Sequence, residues 1–562
     1  MSRRLVGCSL LFLICLLVCF PTLKAYLAAD DFGYLKLFHD KPLLDFLRLG
    51  DTSEGIWGFQ LDEWRPLFGL LWRVDGALWG VNDVGYHLTN VIVHGLATCL
   101  VFLIAAEAAG SAGGTAFLAG LLFAVAPVHA EAICWVTGRT DSLPVVFYLA
   151  AVLSYLRFRA SGSRLAYVLA LLAMALGLLV KEILFTLPVM LCAYEILRSR
   201  REPSAGAGRA RALLAVVPFF AFAALYALLR RLAVGSLGRE HLLTGQAVRE
   251  FLHDQPIYAV HLLTPFGTLI RDGRAAGHDL LLAGLVAGTL LACGALPFLR
   301  RPRDFRSLAP VLFFGVVWYA ISILPLVVTY RTPRHLYLPS AGVAIALAFL
   351  VLPSRGAGPS PGRWAAATLL LGLYAVAFVE CDAEWVAAGR ASRAARAAMQ
   401  RLLDTRPRGG LAILRGVPPR APGGFGSIRM WEFALPFALQ PPFSPSDPLT
   451  STTLLESPSV YCCPLTVWWS DQRPRLQALA SGPPAEGVEV TVLDWDAPHN
   501  TVTARQATIT RGFLQEQLEA SISGRRRAAR LLDALSAGAG LGPTPLSSAD
   551  AEEPPAGSRR LR

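Results

Sequence analysis

The sequence predicts a polytopic α-helical membrane protein, a bundle of about eleven spans, with a small C-terminal α/β or α+β domain. Two features of composition favour this class. The mean hydropathy is +0.47, and only 16% of the 562 residues are charged, against roughly 25% in soluble proteins. Apolar runs also recur from residue 5 to residue 380, each near the ~20 residues that cross a bilayer.

The apolar runs give the positions of the predicted spans. The first run follows Arg3 and Arg4 and resembles a signal peptide, but its small-residue cleavage pattern is weak, so we interpret it as an uncleaved span. An amphipathic segment at 256–270, interrupted by Pro265 and Gly267, is interpreted as re-entrant or interfacial. The spans are predicted at 5–23, 88–106, 115–134, 142–158, 164–180, 183–198, 211–230, 279–299, 308–328, 336–353 and 363–380.

Arginine-rich loops set the predicted orientation, because basic residues collect in cytoplasmic loops. Four such loops fall on the same side as the N-terminus: 157–164, 198–211, 300–306 and 354–363. The net charge of +12 is concentrated in such loops, so we do not interpret it as a nucleic-acid surface. We expect everything after residue 380 to face the periplasm. A composition poor in Lys and rich in Arg, Ala, Gly and Pro favours a bacterial inner membrane.

Composition divides the chain into three predicted domains. Residues 1–384 form a transmembrane domain with a long first outer loop at 24–87. Residues 385–523 form a periplasmic domain, in which an amphipathic helix precedes strand-like runs between Pro- and Gly-rich turns. Residues 524–562 are predicted to be a disordered tail. The strand-like runs lie at 410–414, 459–469 and 488–495.

Two adjacent carboxylates, Asp30 and Asp31, follow the first span in the stretch YLAADDFGYL. Neighbouring carboxylates beside an apolar wall are expected to have raised pKa values, which suits a general base that takes a proton from an alcohol. The alternative is a hydrated pair of loop charges. The residues themselves leave both interpretations open.

Three polar residues begin the second span. His87, Asn90 and His94 are spaced i, i+3, i+7 and therefore share one helix face. Such residues line a polar cavity or hydrogen-bond to a neighbouring helix, and both interpretations stay open. Because ionisable groups are costly inside a membrane, they are candidates for function by default.

The end of the third span carries another polar group, in the stretch PVHAEAICWVTGRTDS. His129 and Glu131 lack the His-Glu-x-x-His spacing of a zinc protease. We therefore expect them to orient a substrate or to make hydrogen bonds, and a divalent metal is the less favoured alternative. Arg139 and Asp141 follow at the same predicted periplasmic level, and we assign all four to a substrate cavity.

Charged residues also occupy two short outer turns. Lys181 and Glu182 stand between two spans, where they either line the cavity or pair with each other. Arg331, Arg334 and Tyr337 precede the tenth span. Arginine forks suit a phosphate, and basic residues on the periplasmic side run against the positive-inside bias. We therefore expect an anion at this turn.

The order and spacing of these segments resemble a known family. The stretches DDF, WRPLFGLLWRVDGALWG, GYHLTNVIVHGL, LLFAVAPVHAEAICWVTGRTDSL, KEILFTLPVMLCAYEIL and RHLYLPS are similar to the membrane half of the transmembrane-and-TPR O-mannosyltransferases. They are also similar to bacterial relatives of that family in the GT-C glycosyltransferase superfamily. The resemblance covers roughly residues 1–385.

The resemblance implies a sugar donor on a polyprenyl phosphate and transfer that typically inverts the anomeric carbon. It assigns the catalytic base to Asp30, with Asp31 beside it, and the donor phosphate to Arg334 and Tyr337. A different sequence follows where the family's TPR array would stand. The acceptor therefore does not carry over from the family.

We therefore expect an inner-membrane glycosyltransferase that moves a sugar to an acceptor hydroxyl on the periplasmic side. The expected partners are the bilayer, the lipid-linked sugar and a protein or glycan acceptor, with no nucleic acid and no obligatory cofactor. One alternative is a transporter or flippase of lipid-linked sugars, which would need an internal repeat or broken helices around a midplane site. The other is a non-catalytic GT-C-like assembly module.

Overall fold

The structure is a computed structural model. It describes residues 3–40, 42, 45, 64–111, 113–201, 213–235, 243–263, 288, 302–329, 332–352, 361–405, 410–416, 435–450, 452–456, 465–496, 499, 501–520, 534–538 and 540. Arg331 lies outside the described residues. So does the predicted span at 279–299, except residue 288, and so does most of the predicted tail at 524–562.

The chain divides into two compact units, which are described separately. The first unit contains Met1–Lys24, Lys41–Thr52 and Asp62–Trp385. The second unit contains Ala25–Asp40, Ser53–Leu61 and Val386–Arg562. The first outer loop is therefore divided, and Asp30 and Asp31 belong to the second unit.

The described part of the first unit is helical. Its helices are α1 Arg3–Val18, α3 Pro66–Trp79, α4 Asp83–Ala109, α5 Gly114–Ala124, α6 Ala130–Cys134, α7 Arg139–Ser161, α8 Arg164–Leu178, α9 Leu187–Arg201, α10 Val217–Val234, α11 Gly245–Leu263, α12 Pro302–Ser322 and α13 Tyr337–Val351. Short 3-10 helices lie at Phe20–Lys24, Pro127–His129, Glu182–Thr186, Leu324–Val328 and Pro333–Leu336. Helix α14, Pro361–Asp404, begins in the first unit and ends in the second.

Local sequence explains how several helices begin and end. Pro66 occupies the first turn of α3, where a missing N–H leaves no hydrogen bond unmade. Asn82 caps α4, because its side chain accepts from the backbone N–H of Val84 at 3.2 Å. Gly110 follows α4 at φ +73°, the left-handed conformation in which helices commonly end.

Six of the described helices are long and apolar enough to cross a membrane, and a bent pair would make seven. The protein is therefore a multi-pass membrane protein. A helix lies at every predicted span that falls on described residues, while the total of eleven stays a prediction. The third predicted span, 115–134, is not one straight helix. Gly114–Ala124 and Pro127–Cys134 meet at 46°, because Pro127 cannot continue the helix that precedes it.

Close packing holds the first span against the second. A Cβ atom on Gly7 would lie 2.5 Å from the ring of Phe102, and one on Gly95 would lie 2.7 Å from the ring of Phe12. Each glycine therefore leaves room for an aromatic ring of the facing helix. Such contacts matter because packing and hydrogen bonds, rather than the hydrophobic effect, join helices in lipid.

The second unit contains helix α2, Asp31–Asp40, the end of α14 and a small sheet. The strands of this sheet are β1 Leu411–Arg415, β2 Thr453–Glu456, β3 Gly487–Asp496 and β4 Thr501–Thr510. Their order in the sheet is β2-β1-β3-β4; β1 is parallel to both neighbours, and β3 and β4 are antiparallel. All five residues of β1 are buried, and Ile413 stands opposite Leu455 and Val492. The further helices are α15 Leu435–Ala438, α16 Leu465–Ala480 and α17 Arg511–Ala520.

Two of the three predicted strands are confirmed. The runs at 410–414 and 488–495 lie in β1 and β3. The prediction of a strand at 459–469 is wrong for residues 465–469, which begin α16, while residues 459–464 lie outside the described part. The run LTVWW is locally β-like, but tertiary context overrides such a weak preference.

Candidate functional site

The guanidinium of Arg334 lies between two carboxylates of the first unit. Its Nη1 donates to Glu131 Oε1 at 2.5 Å, and its Nε lies 3.0 Å from Asp141 Oδ2. Asp141 also accepts from Lys181 Nζ at 2.5 Å. Glu131, Arg334, Asp141 and Lys181 therefore form one series of alternating charges, here called the ionic chain. Trp135 covers it, because the Cζ of Arg334 lies 4.7 Å from the centre of that ring.

The ionic chain is largely removed from solvent. The Glu131 and Arg334 side chains are 11% and 10% exposed, and that of Asp141 is 6% exposed. Glu131 Oε2 has further donors, the hydroxyl of Thr332 and the backbone N–H of Arg334 at 3.4 Å. Arg334 is therefore not a bare cation. Two carboxylates of the chain lie beside it, and a bound phosphate stays a prediction.

A tight turn brings the two carboxylates of the ionic chain together. Helix α6 ends at Cys134 and α7 begins at Arg139, so Glu131 and Asp141 stand on opposite sides of a short connection. A Cβ atom on Gly138 would lie 2.6 Å from the carbonyl oxygen of Glu131. Only glycine fits there, because its hydrogen leaves room for that backbone.

A second group of charges surrounds Glu182. Its Oε2 accepts from Arg65 Nη2 at 2.8 Å, and its Oε1 accepts from Arg230 Nη1 at 2.5 Å. The alternative in which Lys181 and Glu182 pair with each other is wrong, since Lys181 pairs with Asp141. Burial acts to raise the pKa of Glu182, but Arg65 and Arg230 outweigh it and lower this pKa to about 2. The carboxylate therefore stays charged at neutral pH.

The predicted polar face of α4 is buried and used for contacts between helices. His87, Asn90 and His94 are all fully buried. The Asn90 amide donates to the backbone carbonyls of Ile133 and Trp135, each at 3.0 Å. Asn90 thus closes the end of α6, where helical carbonyls have lost their partners.

Arg139 forms a further buried ion pair. It pairs with Asp75, its Nε donates to Asn90 Oδ1 at 2.7 Å, and its Cζ lies 5.1 Å from the centre of the Trp72 ring. The Arg139 and Asp75 side chains are 2% and 7% exposed. Arg139 therefore joins α3, α4 and α7.

Tyr337 and His129 lie in a compact aromatic cluster. The Tyr337 hydroxyl lies 2.7 Å from His94 Nδ1, and His94 Nε2 lies 2.9 Å from the Ala124 carbonyl oxygen. His129 Nε2 lies 2.7 Å from Ser340 Oγ, and the His129 and Tyr337 rings are 4.2 Å apart. The hydroxyl of Tyr337 is thus engaged by a histidine of the bundle.

The Asp30–Asp31 turn belongs to the second unit. Asp31 is fully buried, begins α2 and accepts from the backbone N–H of Ala28 at 3.0 Å. Asp30 is only half-buried. Ala29, which stands between Ala28 and Asp30, has a φ of +49°. This left-handed conformation costs about 1–2 kcal/mol for a residue with a Cβ atom. Asp31 therefore shapes the turn, and Asp30 is the less buried residue of the pair.

The predicted site residues thus fall into two units. The catalytic pair belongs to the second unit. The first unit contains all the predicted cavity residues together with Arg334 and Tyr337. Arg331 lies outside the described residues. Within the first unit, the structure groups Glu131, Asp141 and Lys181 around Arg334 and places Arg139 in a separate pair.

Four residues of these groups were not predicted from the sequence. They are Arg65, Asp75, Arg230 and Thr332, of which the first two stand in the apolar stretch WRPLFGLLWRVDGALWG. A charge inside an apolar helix is a signal that was available for Asp75, because such charges need a partner. This signal does not identify the partner, because Arg139 is 64 residues away in the sequence.

Asp382 is another buried carboxylate that the sequence did not single out. Its Oδ1 accepts from Thr22 Oγ1 at 2.7 Å and from Cys134 Sγ at 2.7 Å. It therefore ties α14 to the segment after α1 and to the end of α6. Within the described part of the chain, no group of three or more His, Cys, Asp or Glu side chains could hold a metal ion.

Comparison with known proteins bears on the predicted resemblance. The chain is 36% identical over 198 residues to the protein O-mannosyl-transferase Tmtc1 of Drosophila melanogaster, which covers 34% of this chain and 22% of that protein. It is 32% identical over 155 residues to human protein O-mannosyl-transferase TMTC3, covering 25% and 16%. This similarity confirms the resemblance to the transmembrane O-mannosyltransferases. The chain spans at most about a fifth of the length of these curated relatives, and no protein-family model matches it.

Comparison with solved structures gives matches with TM-scores below 0.5. ArnT from Cupriavidus metallidurans bound to undecaprenyl phosphate has a TM-score of 0.47 and 14% identity, and covers 86% of this chain and 92% of that chain. The arabinofuranosyltransferase AftD from Mycobacteria has a TM-score of 0.43 and 17% identity, and covers 88% and 35%.

Proposed function

We propose that this chain is a GT-C-type glycosyltransferase that moves a sugar from a polyprenyl phosphate to an acceptor hydroxyl. Its similarity to proteins named O-mannosyl-transferases supports mannose as the first sugar to test. The proposed setting is a bacterial inner membrane that the chain crosses eleven times, with residues 385–523 in the periplasm. The acceptor is a protein or a glycan.

The observation that carries the proposal is the environment of Arg334. Each of its two carboxylate partners has another donor, since Lys181 binds Asp141 and Thr332 binds Glu131. Arg334 can therefore exchange Asp141 for a phosphate while Asp141 stays paired with Lys181, whereas an unpaired buried charge would cost about 3–5 kcal/mol. A guanidinium matches a phosphate with two parallel hydrogen bonds. We assign the donor phosphate to Arg334 and not to Tyr337, whose hydroxyl is engaged by His94.

Asp30 is the proposed general base. It accepts the proton of the acceptor hydroxyl while the acceptor oxygen bonds to the anomeric carbon. The bond from that carbon to the phosphate oxygen breaks, and the electron pair leaves with the polyprenyl phosphate. Attack from the face opposite the phosphate inverts the anomeric centre. Asp31 is the less suitable base, because it is fully buried and accepts from the backbone N–H of Ala28.

Transfer in native membrane vesicles tests the proposal. Vesicles from a deletion strain complemented with each variant receive mannosyl-phosphoryl-undecaprenol labelled in the sugar, and label that leaves the solvent-extractable lipid is measured. We expect Asp30→Asn to lower the rate about 10²–10⁴-fold, the usual contribution of a general base. The matched control is Glu107→Gln, which removes a carboxylate that pairs with Arg4 and Arg157, and we expect it to retain the wild-type rate.

Two outcomes would contradict the proposal. Label that crosses the bilayer but never leaves the lipid would favour a transporter or flippase. Label that reaches the acceptor fraction equally fast with Asp30→Asn, Asp31→Asn and the double variant would refute the assignment of the base. The variant Arg334→Lys tests the phosphate site separately. Loss of transfer in this variant, with an unchanged amount of protein in the membrane, would support a role for the guanidinium fork.

A further inference from the structure

Helix α14 lies directly against the backbone that leads into the Asp30–Asp31 turn. A Cβ atom on Gly389 would lie 2.4 Å from the backbone nitrogen of Tyr26 and 3.0 Å from its carbonyl oxygen. Such distances exclude a side chain at this position without movement of one backbone. The turn and the helix therefore meet backbone to backbone, in the second unit.

Two side chains one turn further along α14 hold the same segment. Ser392 is buried, and its Oγ donates to the carbonyl oxygen of Leu27 at 3.1 Å. The guanidinium carbon of Arg393 lies 4.6 Å from the centre of the Tyr26 ring, within the range of a cation–π contact. Tyr26 and Leu27 stand three and two residues before the left-handed Ala29.

A loop of the C-terminal region holds the turn from the side of α2. The rings of Phe32 and Phe443 meet edge to face with centres 5.2 Å apart. Arg396 of α14 donates from Nη1 to the Phe443 carbonyl oxygen at 2.8 Å, and Lys36 Nζ donates to the Pro441 carbonyl oxygen at 3.0 Å. The loop is thus joined both to α2 and to α14.

We propose that Gly389, Ser392, Arg393, Arg396 and Phe443 are positioning residues that fix the Asp30 carboxylate for proton transfer. These five residues are here called the turn clamp. The proposal rests on the role of Asp30 given under the proposed function. A left-handed alanine persists only where its surroundings over-determine it, and the turn clamp supplies those surroundings. A base displaced by about 1 Å can lose about 100-fold in rate.

The test compares two glycines of one helix. Gly389→Ala places a methyl group against Tyr26, whereas Gly372→Ala, also in α14, places one where no atom lies within 4 Å. Both changes improve helix propensity equally, so they differ only in the contact. Hydrogen exchange of the peptide covering residues 26–35, followed by mass spectrometry, measures the turn without any substrate. We expect faster exchange in Gly389→Ala than in wild type, and wild-type exchange in Gly372→Ala.

Transfer of label from mannosyl-phosphoryl-undecaprenol measures the consequence. We expect Gly389→Ala and Ser392→Ala to lower kcat up to about 100-fold while KM for the lipid donor stays unchanged, because the base and not the donor site is disturbed. Arg393→Ala is expected to lower kcat in the same way, and Arg390→Ala, at an exposed position of the same helix, serves as its control.

The outcomes separate this proposal from the function on which it rests. Equal exchange in Gly389→Ala and Gly372→Ala would overturn the turn clamp, whatever the activity. If the wild type is active and Gly389→Ala exchanges faster but keeps the wild-type kcat, the contact is structural and the positioning role is refuted. A wild type that exchanges slowly at residues 26–35 but transfers no sugar would refute the proposed function and leave the contact itself established.

Discussion

At the scale of single residues, the structure separates two aspartates that are neighbours in sequence. Asp31 is fully buried, and its carboxylate binds the backbone of its own turn. Asp30 is half-buried. A carboxylate that serves as an acceptor for backbone N–H groups is a poor base, because those hydrogen bonds favour its charged form. The proposed chemistry therefore belongs to Asp30 and the shape of the turn to Asp31.

The left-handed Ala29 leads to a prediction about stability. Ala29→Gly removes a steric penalty of about 1–2 kcal/mol, offset in part by the greater freedom of glycine in the unfolded chain. We expect this variant to unfold at the same temperature as wild type or above it. Ala29→Val adds a branched side chain at a positive φ, and we expect a lower midpoint. Thermal unfolding in detergent measures both.

Ala28→Gly is the control for that prediction. Ala28 is buried, and Ala29 alone among the described non-glycine residues has a positive φ. Glycine at position 28 therefore removes a packed methyl group without relieving strain, and we expect a lower midpoint. Equal midpoints for Ala28→Gly and Ala29→Gly would show that the left-handed conformation carries no penalty here.

At the scale of elements, buried ion pairs join helices that are far apart in the chain. Arg139 and Asp75 connect α7 with α3, and Arg334 and Glu131 connect the Pro333–Leu336 turn with α6. Removing one partner of such a pair leaves a charge that lipid and protein cannot solvate. These ion pairs therefore hold the helices in one arrangement. Apolar side chains alone would not, because in lipid they gain little from choosing one neighbouring helix over another.

The buried pair and an exposed pair of the same helix should differ in energy. We expect Arg139→Met to lower the free energy of unfolding by about 3–5 kcal/mol, because Asp75 then stays buried without its partner. Adding Asp75→Asn should restore part of that loss. Arg157→Ala breaks a pair with Glu107 in which Arg157 is 45% exposed, and we expect a change of about 0–1 kcal/mol.

Equilibrium unfolding in mixed micelles, titrated with denaturing detergent, compares these variants. The prediction fails if Arg139→Met and Arg157→Ala destabilise the protein equally. It also fails if the double variant is less stable than Arg139→Met, since the stranded carboxylate would then not be the cause.

At the scale of the whole molecule, the chain contains two units with different construction. The described part of the first is helical and contains the membrane-length helices that begin before residue 361, while the second contains a four-stranded sheet. The proposed orientation places residues 385–523 outside the cytoplasm. With eleven crossings and a cytoplasmic N-terminus, residues after α14 must emerge on the opposite side.

Fusions to alkaline phosphatase, which is active only outside the cytoplasm, test this orientation. We expect an active enzyme when it is fused after Thr405 and an inactive one when it is fused after Gly162, in an arginine-rich loop predicted to be cytoplasmic. An active fusion at Gly162 and an inactive one at Thr405 would show that the topology is the reverse of the proposed one. The same activity state at both fusions would require an even number of spans between them.

Much of the membrane bundle was predictable, and the residues show why. The apolar runs specify helices because every backbone group must be paired within lipid. The caps at Asn82 and Gly110 are readable from residue type. The strands of the sheet were harder to predict. The all-buried β1 was found from its apolar run, but LTVWW, with the same local character as a strand, begins a helix.

Charge partners could not be predicted in the same way. Lys181 and Glu182 are adjacent, and pairing between them was one of two open interpretations. In the structure they pair with Asp141 and with Arg65 and Arg230 instead. Adjacent residues in an extended connection point apart, as the extended backbone of Lys181 shows, so their partners come from other helices.

The sequence by itself determined that this is a membrane protein with helices at particular places, and it singled out Asp30, Asp31 and Arg334 as candidates. These properties depend on residue type and on spacing within about twenty residues. Only the tertiary structure decided that Arg334 lies between Glu131 and Asp141 and that Asp31 is the buried member of its pair. The reason is that burial and ion pairing depend on which helices meet, and that information is spread over the whole chain.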